Sequence, residues 1–199
     1  MLHVDYIDLF LVHWPWPMMG KMYKELEYFY LKGKIKAIGV SSFNEAHIET
    51  LTEFSKIRPA INQIEISPLN TQKKLIKFCQ DRGIAVQAMS TFSHFKSNKP
   101  RTEIFTNDIL KQIALSHNKS VVQIVLRWLI QQDIIVIPKS RNYNHIKDNI
   151  SIFDFSLTSD EMEMIDSLNQ GKSLNYNPYS HNALKSISPK FMYLISNDK

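Results

Sequence analysis

Residues 119–140, KSVVQIVLRWLIQQDIIVIPKS, contain the structural unit from which the fold is built. The pattern Ser120-x-x-Gln123 is a capping box, in which two side chains satisfy free backbone amides at the start of a helix. The apolar residues that follow recur with helical spacing and form a wide stripe, which is typical of a well-buried helix. A run of β-branched residues then begins at Ile134 and ends in the polar string PKS. A buried helix that leads directly into a buried strand is typical of a parallel α/β sheet.

The same alternation of helix and strand extends toward the N-terminus. Runs rich in β-branched residues predict five strands, at residues 7–14, 35–42, 60–67, 84–90 and 134–140. The interval before the last strand is doubled, which indicates either a missing strand or an inserted polar loop at 93–101 with two helices. Both an open doubly wound sheet and a (β/α)₈ barrel fit the alternation. We favour the barrel, because no Gly-x-Gly-x-x-Gly string and no phosphate loop follow any strand.

Local signals predict where the helices begin and end. Thr158-x-x-Glu161 is a second capping box. Gly33, Gly83 and Gly171 each follow a helical segment, where a residue with positive φ can end the helix. Residues 144–150 are a further predicted helix, just after the last strand.

Composition excludes several classes of protein. The chain has 199 residues and a net charge of +5, from 24 Lys+Arg against 19 Asp+Glu. These charges are scattered along the chain rather than gathered in a stripe, so we expect no nucleic-acid partner. The N-terminal residues lack the pattern of a signal peptide, and no apolar run is long enough to span a membrane. With a single cysteine, Cys79, the chain cannot form an internal disulfide, and we expect a cytoplasmic location.

Polar residues stand at the end of each predicted strand. In a parallel barrel the chemistry takes place at the C-terminal ends of the strands. In chain order these residues are His13, Ser41 and Ser42, Asn62 and Gln63, Ser90, and finally Lys139 and Ser140. The string Pro138–Arg141 before the helix at 144–150 combines cations, a hydroxyl and helix amides, which predicts an anion site. Each of these residues also has a purely structural interpretation. His13 could be a packed histidine, and the amides of Asn62 and Gln63 could only satisfy backbone groups. Lys139 and Arg141 could belong to a solvated strand end.

At these residues the sequence resembles the aldo-keto reductase family over about residues 4–172. The resemblance rests on the strings DYIDLFLVHWP (5–15), GKIKAIGVSSF (33–43), NQIEISP (62–68), KFCQDRGIAV (77–86), KSVVQIVLRWLIQQDIIVIPKS (119–140) and HIKDNISIFDFSLTSDEM (145–162). It implies a (β/α)₈ TIM barrel that transfers hydride from NADPH to an aldehyde or ketone without a metal. A tyrosine, tuned by a lysine and an aspartate, donates the proton, and a histidine orients the carbonyl. The short tail is most like that of the bacterial members.

The resemblance also implies a role for individual residues of this chain. His13 matches the catalytic histidine, and Trp14 and Trp16 match walls of the substrate pocket. The matching cofactor residues are Ser41, Asn62 and Gln63 for the nicotinamide amide, Lys139 and Ser140 for the 2′-phosphate, Asp148 and Asn149 for the adenine, with Ser90 and His145 beside them.

Three positions depart from the family pattern. Ser42 replaces an asparagine, and Met89 replaces the tyrosine that stacks under the nicotinamide. His145 replaces an arginine that helps to hold the 2′-phosphate. Because histidine carries less charge than arginine at neutral pH, we expect a weaker preference for NADPH, with NADH as an alternative cofactor. Arg141 is a candidate to replace the lost charge, although it stands at a different position.

The resemblance begins at the fourth strand of the barrel. Residues 1–172 are therefore a partial barrel of about five parallel strands (strands four to eight), and residues 173–199 a C-terminal tail. The family's catalytic aspartate, tyrosine and lysine lie on the first three strands, so we expect the truncated chain to be inactive alone. A complementing N-terminal chain, or self-association through open sheet edges, is expected to close the sheet. The alternatives are a non-catalytic cofactor-binding or regulatory relative and an inactive gene fragment.

Overall fold

The computed structural model describes residues 4–16, 18–92 and 99–171, so the predicted tail at 173–199 lies outside the described residues. Within these ranges the strands are β1 (Ile7–Val12), β2 (Ile35–Ser41), β3 (Ile61–Glu65), β4 (Ala85–Met89) and β5 (Ile134–Val136). The helices are α1 (Met19–Leu31), α2 (Glu45–Phe54), α3 (Lys73–Asp81), α4 (Lys99–Thr106), α5 (Asp108–Ser116), α6 (Val121–Ile130), α7 (Tyr143–Ile150) and α8 (Ser159–Asp166). Each strand begins at or next to its predicted first residue. The predicted last residues are wrong by one to four positions, because the strands end earlier, at Val12, Ser41, Glu65, Met89 and Val136.

The five strands are parallel and follow one another across the sheet in chain order, from β1 to β5. This order is the one that consecutive β-α units produce. In the described part of the chain, β1 and β5 are the ends of that order, and each has one neighbouring strand.

Helix boundaries follow the predicted local signals. The capping boxes at Ser120 and Thr158 are both formed, and they begin α6 and α8. Gly33, Gly83 and Gly171 all have positive φ, as expected after a helix. The predicted polar loop at 93–101 is wrong in its last three residues, because α4 already begins at Lys99; residues 93–98 are not described.

The contacts divide the described residues into two compact units. The first unit contains residues 4–64 and 74–86, and the second contains 65–73 and 87–171. In the first unit, β2 is buried along most of its length, and Gly39 lies at its centre. A β-carbon at Gly39 would collide with the side chains of Leu11 and Ile61 from the neighbouring strands. Glycine is therefore required for these two side chains to close over β2.

The second unit has its own core around α6. The six buried residues of this helix include Trp128 and Leu129, both fully enclosed. The Nε1 of Trp128 donates a hydrogen bond of 3.1 Å to Asp166 of α8. The other oxygen of Asp166 pairs with Lys73 at 2.6 Å. These contacts tie α6, α8 and the start of α3 together.

Candidate functional site

Three of the predicted site residues form one row across β1, β2 and β3, all within the first unit. Ser41 is directly paired with Gln63, and Val12 with Val40, so His13 comes next to Ser41 at the following position. Side chains alternate between the two faces of a strand, and this register puts His13, Ser41 and Gln63 on the same face. His13 is exposed, Gln63 is half-buried and Ser41 is buried. His13 directly follows β1, Ser41 is the last residue of β2, and Gln63 is the third of five residues in β3. Ligands of parallel barrels bind at the C-terminal ends of the strands.

The hydroxyl of Ser41 has no hydrogen-bond partner in the described part of the chain, although it is only 1% exposed. The buried hydroxyl of Ser42 is likewise without a partner there, and its backbone has a φ of 62°. A buried polar group left without a partner costs free energy. A ligand with amide or carbonyl groups would supply the partner that Ser41 lacks, which fits a nicotinamide amide.

Asn62 does not belong to this row. It is fully buried on the opposite face of β3, where its Nδ2 donates to the carbonyl of Phe43 at 2.9 Å and contacts the sulfur of Cys79 at 3.7 Å. Its amide therefore braces β3 against α3 and the segment after β2. Side chains of neighbouring strand residues point in opposite directions, so Asn62 and Gln63, which the resemblance assigns to one ligand group, lie on opposite faces of β3.

Cys79 is a buried structural residue. Burial is the main cause that raises the pKa of its thiol to about 11, against which the hydrogen bond from Asn62 acts only partly. The thiol therefore stays protonated at neutral pH, and it is a poor nucleophile or metal ligand. Among the described residues, no group of three or more His, Cys, Asp or Glu side chains could hold a metal ion.

The predicted substrate-pocket residues follow β1. The ring of Trp14 lies 5.2 Å from the ring of His13, measured between centroids. The backbone amide of Trp16 donates to the carbonyl of Trp14, and the side chain of Trp16 is 58% exposed. Trp14 thus lies beside His13, just after the end of β1, while Trp16 is exposed two residues further on.

The second unit contains a cavity of about 480 Å³ at the ends of β4 and β5. This volume lies in the range of small-molecule sites, roughly 300–1,000 Å³. Six predicted cofactor residues line it: Ser90, Lys139, Ser140, His145, Asp148 and Asn149. Met89, which stands where the family has a stacking tyrosine, lines it as well. Residues from five different segments of sequence are therefore brought to one cavity.

Helix α7 supplies part of the cavity wall. His145, Asp148 and Asn149 have the spacing of one helical face, and all three line the cavity. The prediction that the first amides of this helix are free to bind an anion is wrong. The side-chain oxygen of Asn142 accepts hydrogen bonds from the amides of Asn144 and His145, at 2.9 and 3.3 Å. An anion in this cavity would therefore depend mainly on side-chain cations.

Two cations line the cavity, Lys139 and Arg101, and neither forms an ion pair with a described carboxylate. The guanidinium of Arg101 lies 5.2 Å from the ring centroid of Phe105, one turn further along α4. Phe105 in turn packs against Phe92 at 5.9 Å between centroids. Arg141, the cation expected from the sequence, is exposed and does not line the cavity.

Sequence reasoning missed Arg101 and Phe105. They belong to a short helix that follows a polar segment, and no motif marks them as ligand-binding residues. Only the fold brings α4 to the ends of β4 and β5 within the second unit.

In the described residues, no helix is both long and apolar enough to cross a membrane.

Comparison with known proteins places these features in a family. The model of the aldo/keto reductase family matches residues 1–170. An uncharacterized oxidoreductase of Bacillus subtilis, YtbE, is 45% identical over 89% of this chain and 61% of its own length. Glyoxal reductase of the same organism is 41% identical over 89% of this chain and 62% of its own length. The chain therefore belongs to the aldo/keto reductase family.

Solved structures support the same assignment. The aldo-keto reductase of Bombyx mori in complex with NADP is 36% identical, with a TM-score of 0.79, over 92% of this chain and 63% of that one. An aldo-keto reductase from a deep-sea metagenome library has a TM-score of 0.81 and 36% identity, over 90% of this chain and 65% of that one. These relatives have the TIM-barrel fold, and the five parallel strands with their helices form part of such a barrel. The chain spans about six-tenths of the length of the relatives it matches.

Proposed function

We propose that this chain binds NADP(H) as part of an aldo-keto reductase that reduces an aldehyde or ketone to an alcohol. The observation that supports this most is the cavity of the second unit, because six residues that resemble the family's cofactor contacts line it together. Relatives solved with NADP and NADPH bound make the phosphorylated cofactor the natural candidate. NADH remains the alternative that the replacement of an arginine by His145 suggests.

The residues divide the binding task by their chemistry. In the second unit, Lys139 and Ser140 offer a charge and a hydroxyl to a phosphate, while Asp148 and Asn149 offer acceptors to the amino group of a purine. In the first unit, Ser41 and Gln63 offer hydrogen bonds to an amide. By the family resemblance, a bound dinucleotide would supply the hydride, and His13 would orient a carbonyl group.

Removal of the Lys139 charge should weaken the binding of NADPH but not that of NADH. We expect Lys139→Met to reduce the affinity for NADPH about tenfold, because a charge-assisted contact to phosphate is lost. The affinity for NADH should change little, since that cofactor has no 2′-phosphate. Isothermal titration of the 199-residue chain with each cofactor measures both values.

The matched control is Lys111→Met, which removes an exposed lysine of the same unit that pairs with Asp108 and does not line the cavity. It should leave both affinities unchanged. Absence of any saturable binding of NADPH by the wild-type chain would contradict the proposed function.

We further infer that the 199 residues do not turn over a carbonyl unaided. The family uses four catalytic residues: an aspartate, a tyrosine and a lysine of the first three strands, and a histidine that orients the carbonyl. The residues of this chain match only the histidine, His13. The chain's function is then that of the cofactor-binding part of a complete barrel. A non-catalytic binding or regulatory relative is the second candidate, since the cavity would serve it equally well.

Exposed apolar surface on β1 and on α7 supports a proposal about a polypeptide partner. In β1, the neighbouring residues Leu9 and Phe10 point to opposite faces, and they are 39% and 41% exposed. On α7, the residues Tyr143, Ile146 and Ile150 are each more than half exposed, and the helix has no buried residue. Because apolar patches of this kind mark interaction sites, we propose that a polypeptide with the family's first three β-α units covers them. Self-association would be the contrary outcome, seen as a concentration-dependent increase in mass.

The substrate stays a carbonyl compound of unspecified size. The matched relatives include a glyoxal reductase and a 9,11-endoperoxide prostaglandin H2 reductase of Trypanosoma cruzi, and the second name specifies an endoperoxide rather than a carbonyl group. We place the protein in the cytoplasm, on the basis of its single buried thiol and the soluble character of its composition.

A further inference from the structure

The cavity of the second unit holds more positive charge than the sequence motifs account for. Lys139 comes from the segment after β5, and Arg101 comes from α4, which no family string includes. The acid that lines the cavity is Asp148, and it is exposed on α7. Neither cation is neutralised by a described carboxylate. Two unpaired cations at one cavity favour a ligand that carries two negative charges, as a phosphate monoester does above its second pKa of about 6.

Arg101 is also positioned by its own helix. Its guanidinium lies over the ring of Phe105, four residues further along α4, at 5.2 Å from the centroid. This cation–π contact restrains the side chain on the cavity wall. The ring of Phe105 packs in turn against Phe92, and both rings line the same cavity. The wall therefore combines aromatic surface for a flat heterocycle with a guanidinium that can bind two phosphate oxygens at once.

Arg141, which the sequence suggests as the replacement for the charge lost at His145, lies elsewhere. Arg141 is exposed and does not line the cavity, and the amides at the start of α7 are occupied by Asn142. His145 lines the cavity in place of the family's arginine. The replacement removes a cation from α7, and Arg101 of α4 supplies a cation to the same cavity.

We propose that Arg101 is a specificity-determining residue, which together with Lys139 selects a nucleotide with a 2′-phosphate over one without it. This proposal rests on the proposed function, since it concerns the same cofactor cavity. If Arg101 has this role, the chain prefers NADPH over NADH in spite of His145. The sequence alone suggests that His145 weakens this preference.

The test uses small probes that need neither the nicotinamide nor catalysis. Adenosine 2′,5′-bisphosphate and adenosine 5′-monophosphate are titrated separately into the 199-residue chain and into Arg101→Gln. We expect Arg101→Gln to lower the affinity for the 2′,5′-bisphosphate about tenfold or more. The affinity for the 5′-monophosphate should stay within about twofold of the wild-type value. Unchanged binding of the 5′-monophosphate also shows that the variant is folded.

Two matched controls remove a nearby cation that does not line the cavity. Lys99→Gln is on the same helix, and Arg141→Gln removes the cation that the sequence suggested. Both should leave the discrimination between the two probes intact. In Arg101→Gln, the second change His145→Arg should restore the preference, because it returns a guanidinium to the cavity from α7.

The possible failures separate the two proposals. If the wild-type chain binds NADPH but Arg101→Gln keeps the full preference for the 2′-phosphate, the role of Arg101 is refuted and the proposed function stands. If Arg141→Gln abolishes the preference instead, the sequence-based candidate was right and Arg101 is again refuted. If the wild-type chain binds neither NADPH nor the bisphosphate, both proposals fail.

Discussion

The 199 residues alone should consume no NADPH with nitrobenzaldehyde at a rate measurable against a complete family member. Loss of a general acid by itself costs about 10²–10⁴ in rate, and here the lysine and aspartate that tune it are unmatched as well. His13 is exposed at the end of β1, and its family role is to orient the carbonyl. Tyr23 does not substitute for the missing donor, because burial, with Glu27 nearby, raises its pKa and makes it a weaker acid.

The same assay becomes informative when a polypeptide with the family's first three β-α units is added. Activity should then appear and should saturate near an equimolar ratio, since the added strands complete the barrel against exposed surfaces such as that of β1. The matched control is the same polypeptide with its catalytic tyrosine changed to phenylalanine, which should bind without restoring turnover. Reduction by the 199 residues alone, at the rate of a whole member, would contradict the assignment of roles.

Replacement of Trp128 by alanine should give the largest loss of stability. This side chain is fully enclosed at the centre of the second unit, and truncation of a buried aromatic residue costs about 3–5 kcal/mol. It also removes the donor to Asp166 at 3.1 Å. Trp128→Phe should cost about 1 kcal/mol, because it keeps most of the volume and loses the hydrogen bond, while Asp166 keeps its pair with Lys73.

Urea denaturation followed by circular dichroism measures these differences as shifts of the midpoint. The control is Trp16→Ala, a tryptophan that is 58% exposed and whose removal should change stability by no more than about 0.5 kcal/mol. The account of the core would be wrong if the two alanine variants unfolded at the same urea concentration. Because Val122 and Leu126 of the same helix line the cavity, Trp128→Ala should also weaken NADPH binding.

The first residues of the strands could be predicted because apolar runs begin there, as β2 does at Ile35. Their burial and their last residues could not, since β1 is mostly exposed and β5 ends at Val136, before its apolar run does. Capping boxes were equally reliable at Ser120 and Thr158, since both partners lie within one turn. The start of α4 was not, because a proline and charged residues around Lys99 look the same in a loop and in the first turn of a helix.

The site residues could be predicted only where a motif determines both the residue and the face of the strand to which its side chain points. Ser41 and Gln63 follow from the ends of paired strands, but Asn62 points to the opposite face. The charge at the cavity was misplaced for a different reason. Arg141 is close to Lys139 in sequence, whereas Arg101 is close to the cavity only through the fold. Proximity along the chain is a poor guide to which cations share a ligand.

The most direct test of the central claim is to map NADP⁺ binding on the 199-residue chain by amide chemical shifts. A chain of 23.2 kDa is small enough for such spectra. We expect saturable changes at Ser90, Lys139, Ser140 and Asn149, which line the cavity of the second unit. Changes confined to residues outside that cavity and outside the row of His13, Ser41 and Gln63, or no changes at all, would contradict it.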